Sequence, residues 1–194
     1  MTLSVTLMIA ALIQANAASE ASPASDRLRA AVPVIAGWAN VTLEGYEVTG
    51  RSKRSIRTAM NAARPATASG ARHDAVTRWR YSYQMGGANG RCDPAQSVVS
   101  HAIVVVMPDL AGVDRLSRGD RAAWEAYFAA LTTHESNHIR IAEAGARGIQ
   151  SAMRAAPDCE TARAVAAREI QTVSAASAEY DRLTGHGRTE GAVY

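Results

Sequence analysis

At 194 residues, 47% of them apolar but only 5% aromatic, the chain has room for one domain whose core is built from Ala, Val, Ile and Leu. The formal charge of +3 comes almost wholly from dispersed arginines. With neither a basic stripe nor an aromatic platform, it argues against a nucleic-acid partner.

The opening "MTLSVTLMIAALIQANAASEA" holds no charged side chain before Glu20. Its apolar run, Leu3 to Ile13, leads into Ala15-Asn16-Ala17, a small-x-small cleavage pattern, which predicts a secretory signal over residues 1–17. The run is shorter than the roughly 20 apolar residues of a membrane span, and no later segment is long enough either. The expectation is a secreted or periplasmic protein with no stable membrane insertion after cleavage. Residues 18–37, with "SEASPASDR", read as a flexible lead-in, and residues 38–194 as a single domain.

Within that domain "WANVTLEGYEVTG" (38–50) has strand alternation. Ser52 is placed to cap a short helix, "KRSIRTAMNAA", that stops before Pro65. "AVTRWRYSYQM" (75–85) has high β propensity, "GGANG" (86–90) reads as a turn, and "SVVSHAIVVVMP" (97–108) as a buried strand. The period then changes. Trp124, Phe128, Leu131, then Ile141 or Ala142, Gly145 and Ile149 form a helical stripe from Asp120 to about Arg154, with Ser117 or Asp120 as N-cap and Pro157 as terminator. A last helix is expected from about Glu160 to Asp181. Strands first and long helices after give an α+β order: a small, mainly antiparallel sheet packed on two long C-terminal helices.

Cys92 and Cys159 are the only cysteines, and an even count in an exported chain predicts a disulfide, with two buried thiols as the alternative. Such a bridge closes a loop of almost seventy residues and is worth about 4 kcal/mol in the chain-entropy model.

The first long helix carries "LTTHESNHIR" (131–140). Positions four apart on a helix share a face, so His134 and His138 can turn imidazole nitrogens toward one ion, the spacing of the HExxH zinc signature. Glu135 is offset by about 100° and can take a proton from metal-activated water without being a ligand. The apolar stripe continues through positions 135, 138 and 142, so Glu135 and His138 face inward, where unpaired they would be costly. The bland alternatives are a solvent-exposed pair and an N-capping cluster at a helix break after Thr133.

Catalytic zinc normally has three protein ligands and an open position. The extension HExxHxxGxxH fails at Ile141 and Ala144, and Glu143 is turned away from His138. Glu160, Glu169, Glu179, Asp181 and His186 remain. His186, flanked by glycines that allow a close backbone approach, is favoured, with Glu169 and Glu179 as alternatives. His101 reads as a strand-face residue and His73 as loop. Tyr180 is a guess for an oxyanion donor.

"YEVTGRS", "HDAVTRWRYSYQ", a cysteine before the long apolar strand, "WEAYFAALTTHESNHIRIAEAGARGI" and the closing "EYDRLTGHGRTEGA" together resemble the DUF922 group of bacterial proteins, predicted secreted zinc-dependent proteases. The resemblance spans roughly Tyr46 to Tyr194. It implies a zincin-like domain with His134 and His138 as Zn2+ ligands and Glu135 as catalytic residue, and it strengthens His186 as third ligand. The expected function is hydrolysis of peptide bonds in a peptide or protein substrate. The alternatives are a zinc amidase acting on cell-wall peptide and a non-catalytic, disulfide-stapled metal-binding protein.

Overall fold

The computed structural model describes residues 21–67, 70–87 and 91–194. The signal reading of residues 1–17 and part of the 86–90 turn lie outside the described residues. The architecture is α+β, with a four-stranded sheet of order β1-β2-β4-β3. Its strands are β1 (Ser22–Pro23), β2 (Val41–Val48), β3 (Val76–Gly86) and β4 (Asp93–Leu110). β1/β2 and β3/β4 pair antiparallel, whereas β2 runs parallel to β4. That one parallel pair follows from connectivity: helix α3 (Lys53–Ala63) and the whole of β3 intervene between β2 and β4.

β4 is longer than its hydrophobic pattern alone indicates, because its first residues pair with β3 up to Gly86, past an irregularity at Gln84. On β3, Arg78, Arg80, Ser82 and Gln84 alternate outward into solvent, while Thr77 and Tyr81 reach the helical layer. α3 begins at a capping box made by Ser52 and Ser55, and Ile56 and Met60 bury its inner face.

Residues 21–37 correct the flexible lead-in expected there. Helices α1 (Asp26–Ala31) and α2 (Pro33–Ala36), with Val32 between them, bury Leu28, Val32 and Ile35 in the main core, and Arg27 binds Asp109 of β4 at 2.6 Å. Burying three such side chains yields about 1.5–3 kcal/mol each, which outweighs the turn character of the Ser/Pro-rich stretch just before them.

The long helices are α4 (Arg118–Arg154), capped by Ser117, and α5 (Cys159–Thr184), capped by Asp158. α4 crosses the sheet over β4 and β3, and α5 packs back along α4. The hairpin turns at Pro157–Asp158, and residues equally far from that turn meet: Ile149 and Met153 share a cluster with Ala166 and Ala162. Gly145 lets the layers approach closely, since a Cβ there would lie 2.4 Å from Val173 Cγ2 and 2.8 Å from Tyr81 Oη. Cys92 and Cys159 are joined in a disulfide that ties the start of β4 to the start of α5. No helix among the described residues is long and apolar enough to cross a membrane.

Candidate metal centre

His134 and His138 lie one turn apart on the buried face of α4, 3% and 5% exposed, with Glu135 between them at 3%. Opposite them α5 presents Ser177 and Asp181, also one turn apart. His138 Nδ1 meets Ser177 Oγ at 2.8 Å, and Asp181 Oδ1 lies 3.1 Å from Nε2 of both histidines. The two Nε2 atoms are 3.2 Å apart. Three ligand-type atoms therefore form a nearly equilateral triangle. An ion with bonds of about 2.0–2.1 Å at tetrahedral angles separates its ligands by about 3.4 Å, within a few tenths of an ångström of these edges. Among the described residues His134, His138 and Asp181 are the one group able to hold a metal ion in this way.

The rear of each imidazole is fixed. His134 Nδ1 contacts Glu190 Oε2 at 2.8 Å, and Ser177 holds His138 Nδ1, so both Nε2 atoms are left for the shared point. A carboxylate behind a ligating histidine sets its tautomer and raises its basicity. Glu190 comes from a 3₁₀ turn (Arg188–Glu190) reached through Gly187, whose φ is +80°. A Cβ at Gly187 would sit 3.1 Å from His134 Cγ, so both the backbone conformation and the close approach call for glycine.

The charges are mutually supporting. Burial works against ionised Asp181, but hydrogen bonds from His134 and His138 hold its carboxyl well below the usual range. Burial also disfavours protonated His134, yet Asp181, Glu135 and Glu190 together raise its pKa. Burial pushes the Glu135 carboxyl upward, opposed by His138, by the Thr77 hydroxyl and by His134. Thr77 Oγ1 of β3 donates to Glu135 Oε2 at 2.6 Å. These groups open onto a cavity of about 410 Å³, also lined by the α3–β3 connection and the turn after α5.

His186, favoured for the third ligand position, lies one step outward. Its side chain is 54% exposed; it adopts φ +55°, packs its ring against His73 at a 40° tilt and directs Nδ1 to Asp181 Oδ1 at 3.2 Å. The carboxylate of Asp181 stands between His186 and the paired Nε2 atoms. Glu179 is exposed and paired with Arg182. Glu169 is half-buried higher on α5, and Glu160 lies exposed in its first turn. Glu143 accepts from Trp38 Nε1.

Tyr180 does not line the cavity. Its ring stacks on His134, and its hydroxyl accepts from Asn137 and donates to Glu190 at 2.5 Å, so it steadies Glu190 rather than a reacting oxygen. Burial and Glu190 push its phenol up to about 12. His101 is a half-buried strand residue beside Tyr81.

Asp181 was legible only as one of five possibilities, and Ser177, Glu190 and Thr77 were missed altogether. Hairpin register carries the signal for the first two: equally distant from Pro157–Asp158, His134 faces Asp181 and His138 faces Ser177.

No curated protein and no solved structure is significantly similar to the chain. The family model described as "Bacterial protein of unknown function (DUF922)" matches residues 43–187, from β2 through the metal cluster. The chain belongs to the DUF922 family.

Proposed function

We propose that the protein is an exported zinc-dependent peptidase, with His134, His138 and Asp181 as ligands and Glu135 as general base. The convergence of His134 Nε2, His138 Nε2 and Asp181 Oδ1, beside a buried carboxylate that lines a cavity, carries this reading. Two imidazoles and a carboxylate are a donor set of hydrolytic zinc sites that leave a coordination position open.

When bound, the ion supplies Lewis acidity and brings the pKa of water toward 7. The chain's own groups do the rest. Thr77 anchors Glu135 Oε2 and so orients the carboxylate toward the cavity. Glu135 accepts the proton of the attacking water and delivers it to the departing amine. Its upward shift from burial brings its basicity closer to neutral, where such a shuttle works best. Glu190 and Ser177 keep both imidazoles aimed at the site. The Cys92–Cys159 bridge supports export, because disulfides persist in oxidising compartments.

The test is zinc content and casein hydrolysis of the wild type and of Glu135→Gln. The variant is expected to retain one zinc per chain and to lose turnover by at least roughly a hundredfold. A wild type that takes up no zinc refutes the metal site. Unchanged turnover in Glu135→Gln refutes the base, and activity confined to peptidoglycan replaces the general-peptidase reading with cell-wall amide hydrolysis.

A further inference from the structure

Four arginines face three side-chain carboxylates in the lining of the cavity beside the metal cluster. Arg57, Arg64, Arg72 and Arg188 line it together with Asp74, Glu135 and Asp181. Asp181 belongs to the metal cluster and Glu135 lies beside it, held by Thr77, which leaves Asp74 and the Tyr194 backbone oxygen, an acceptor from Arg57 Nε at 3.2 Å, facing the arginines. Asp74 is fully engaged: Arg57 Nη1 lies 2.9 Å from both carboxylate oxygens, Arg64 Nε lies 2.8 Å away, and the Tyr127 hydroxyl donates at 2.7 Å. One carboxylate thus serves two guanidinium groups.

Arg72 and Arg188 have no acidic partner among the described residues. Arg72 spends one N–H on the Arg64 carbonyl at 2.9 Å. Arg188 makes no side-chain hydrogen bond among the described residues. The two come from opposite segments. Arg72 precedes His73 in the α3–β3 connection, Arg188 follows His186 after α5, and the His73–His186 ring contact, 4.3 Å between centroids, joins those segments. A guanidinium has five donors and no acceptor, and like charges in one concave wall focus a positive field into it. The ligand chemistry that this wall fits is a planar anion able to take paired N–H donors.

We infer that Arg72 and Arg188 bind a substrate carboxylate close to the scissile amide, making the enzyme selective for peptides that are anionic on that side. This rests on the peptidase reading. The carboxylate has two possible sources, the substrate's own C-terminus and an Asp or Glu side chain.

The test uses the zinc-loaded Glu135→Gln chain and three probes: Ac-Ala-Ala-Ala with a free C-terminus, the same peptide amidated, and amidated Ac-Ala-Glu-Ala. Calorimetric Kd is expected to be at least about tenfold tighter for one of the acidic peptides than for the neutral amide, about 1.4 kcal/mol. The acid that gains identifies the source. In Arg72→Gln/Arg188→Gln on the same background, that ratio is expected to fall to near one with zinc content kept. Equal binding of all three peptides, or binding of none, overturns the inference. So does a ratio that survives in the double variant, which would place the carboxylate on the metal instead. Carboxylate preference in Kd with no wild-type turnover of any peptide would refute the peptidase reading and leave the anion site standing.

Discussion

Replacing Asp181 by alanine removes one of the three converging atoms proposed as zinc ligands, the one 3.1 Å from both histidine Nε2 atoms. A four-ligand structural zinc site binds with about 10–16 kcal/mol, roughly 3 kcal/mol per ligand, so the loss should weaken zinc by roughly a hundredfold. Glu190→Ala leaves every ligand in place but frees His134 Nδ1, and removal of such an orienting partner costs about 10–100-fold. His186→Ala touches the site only through Asp181 and should weaken binding less than about threefold, because one exposed polar contact contributes little. The order Asp181, Glu190, His186 is therefore expected in Kd values from competition against a chromogenic zinc chelator. Asp181→Asn and circular dichroism of each metal-free chain separate ligand loss from unfolding. Wild-type affinity in Asp181→Ala together with a hundredfold loss in His186→Ala would refute this assignment and restore His186 as third ligand.

Further outcomes concern the scaffold. Opening the Cys92–Cys159 bridge by the double serine variant should lower stability by about 4 kcal/mol, read from urea midpoints, while zinc content persists because neither cysteine lines the cavity. Gly145→Ala should destabilise α4 despite alanine's higher helix propensity, since its Cβ meets Val173 at 2.4 Å, whereas Gly148→Ala, with nothing within 4 Å, should gain about 0.5–1 kcal/mol; equal melting shifts would contradict the close-packing argument. Burial, then Asp74, pushes the phenols of Tyr46 and Tyr127 above their ordinary pKa of about 10. A raised acid favours the folded state fully below the unfolded pKa and loses that contribution as pH rises toward the folded one. Melting temperature should therefore fall above about pH 10, less steeply in Tyr127→Phe, and that variant should also lose about 1.5–3 kcal/mol at neutral pH with its bond to Asp74.

Periodicity made the regular elements legible. The cap at Ser52, the switch from strand to helical period before α4 and the break at Pro157 all act within a few residues of themselves, and each falls where its local chemistry places it. Residues 21–37 misled because Ser, Ala and Pro near Pro23 describe the local backbone, while Leu28, Val32 and Ile35 act only once the sheet exists to bury them. Tyr180 illustrates the same limit. Its hydroxyl is claimed by Glu190, which arrives through the glycine turn at 187, a contact that exists only in three dimensions.

The proposed third ligand, Asp181, sits between these cases. His186 drew attention through residue type and flexible surroundings, which are local properties, but a metal site selects for position. Two antiparallel helices joined by a short turn have a register as definite as a β-hairpin's, and residues equidistant from Pro157–Asp158 must meet. Reflecting the HExxH pair through that turn carries His134 onto Asp181 and His138 onto Ser177, each again four residues apart and so on one face of α5. The apolar layers Ile149/Ala166 and Met153/Ala162 obey the same reflection, so the register that brings Asp181 to the two histidines is set by ordinary core packing below it. The rule also bounds what may be moved. Inserting a single residue in the Ala155–Asp158 turn need not disturb either helix, but inserting one within α5 between Ala166 and Ser177 would rotate Asp181 by about 100° relative to the apolar layers and take the carboxylate out of the cluster.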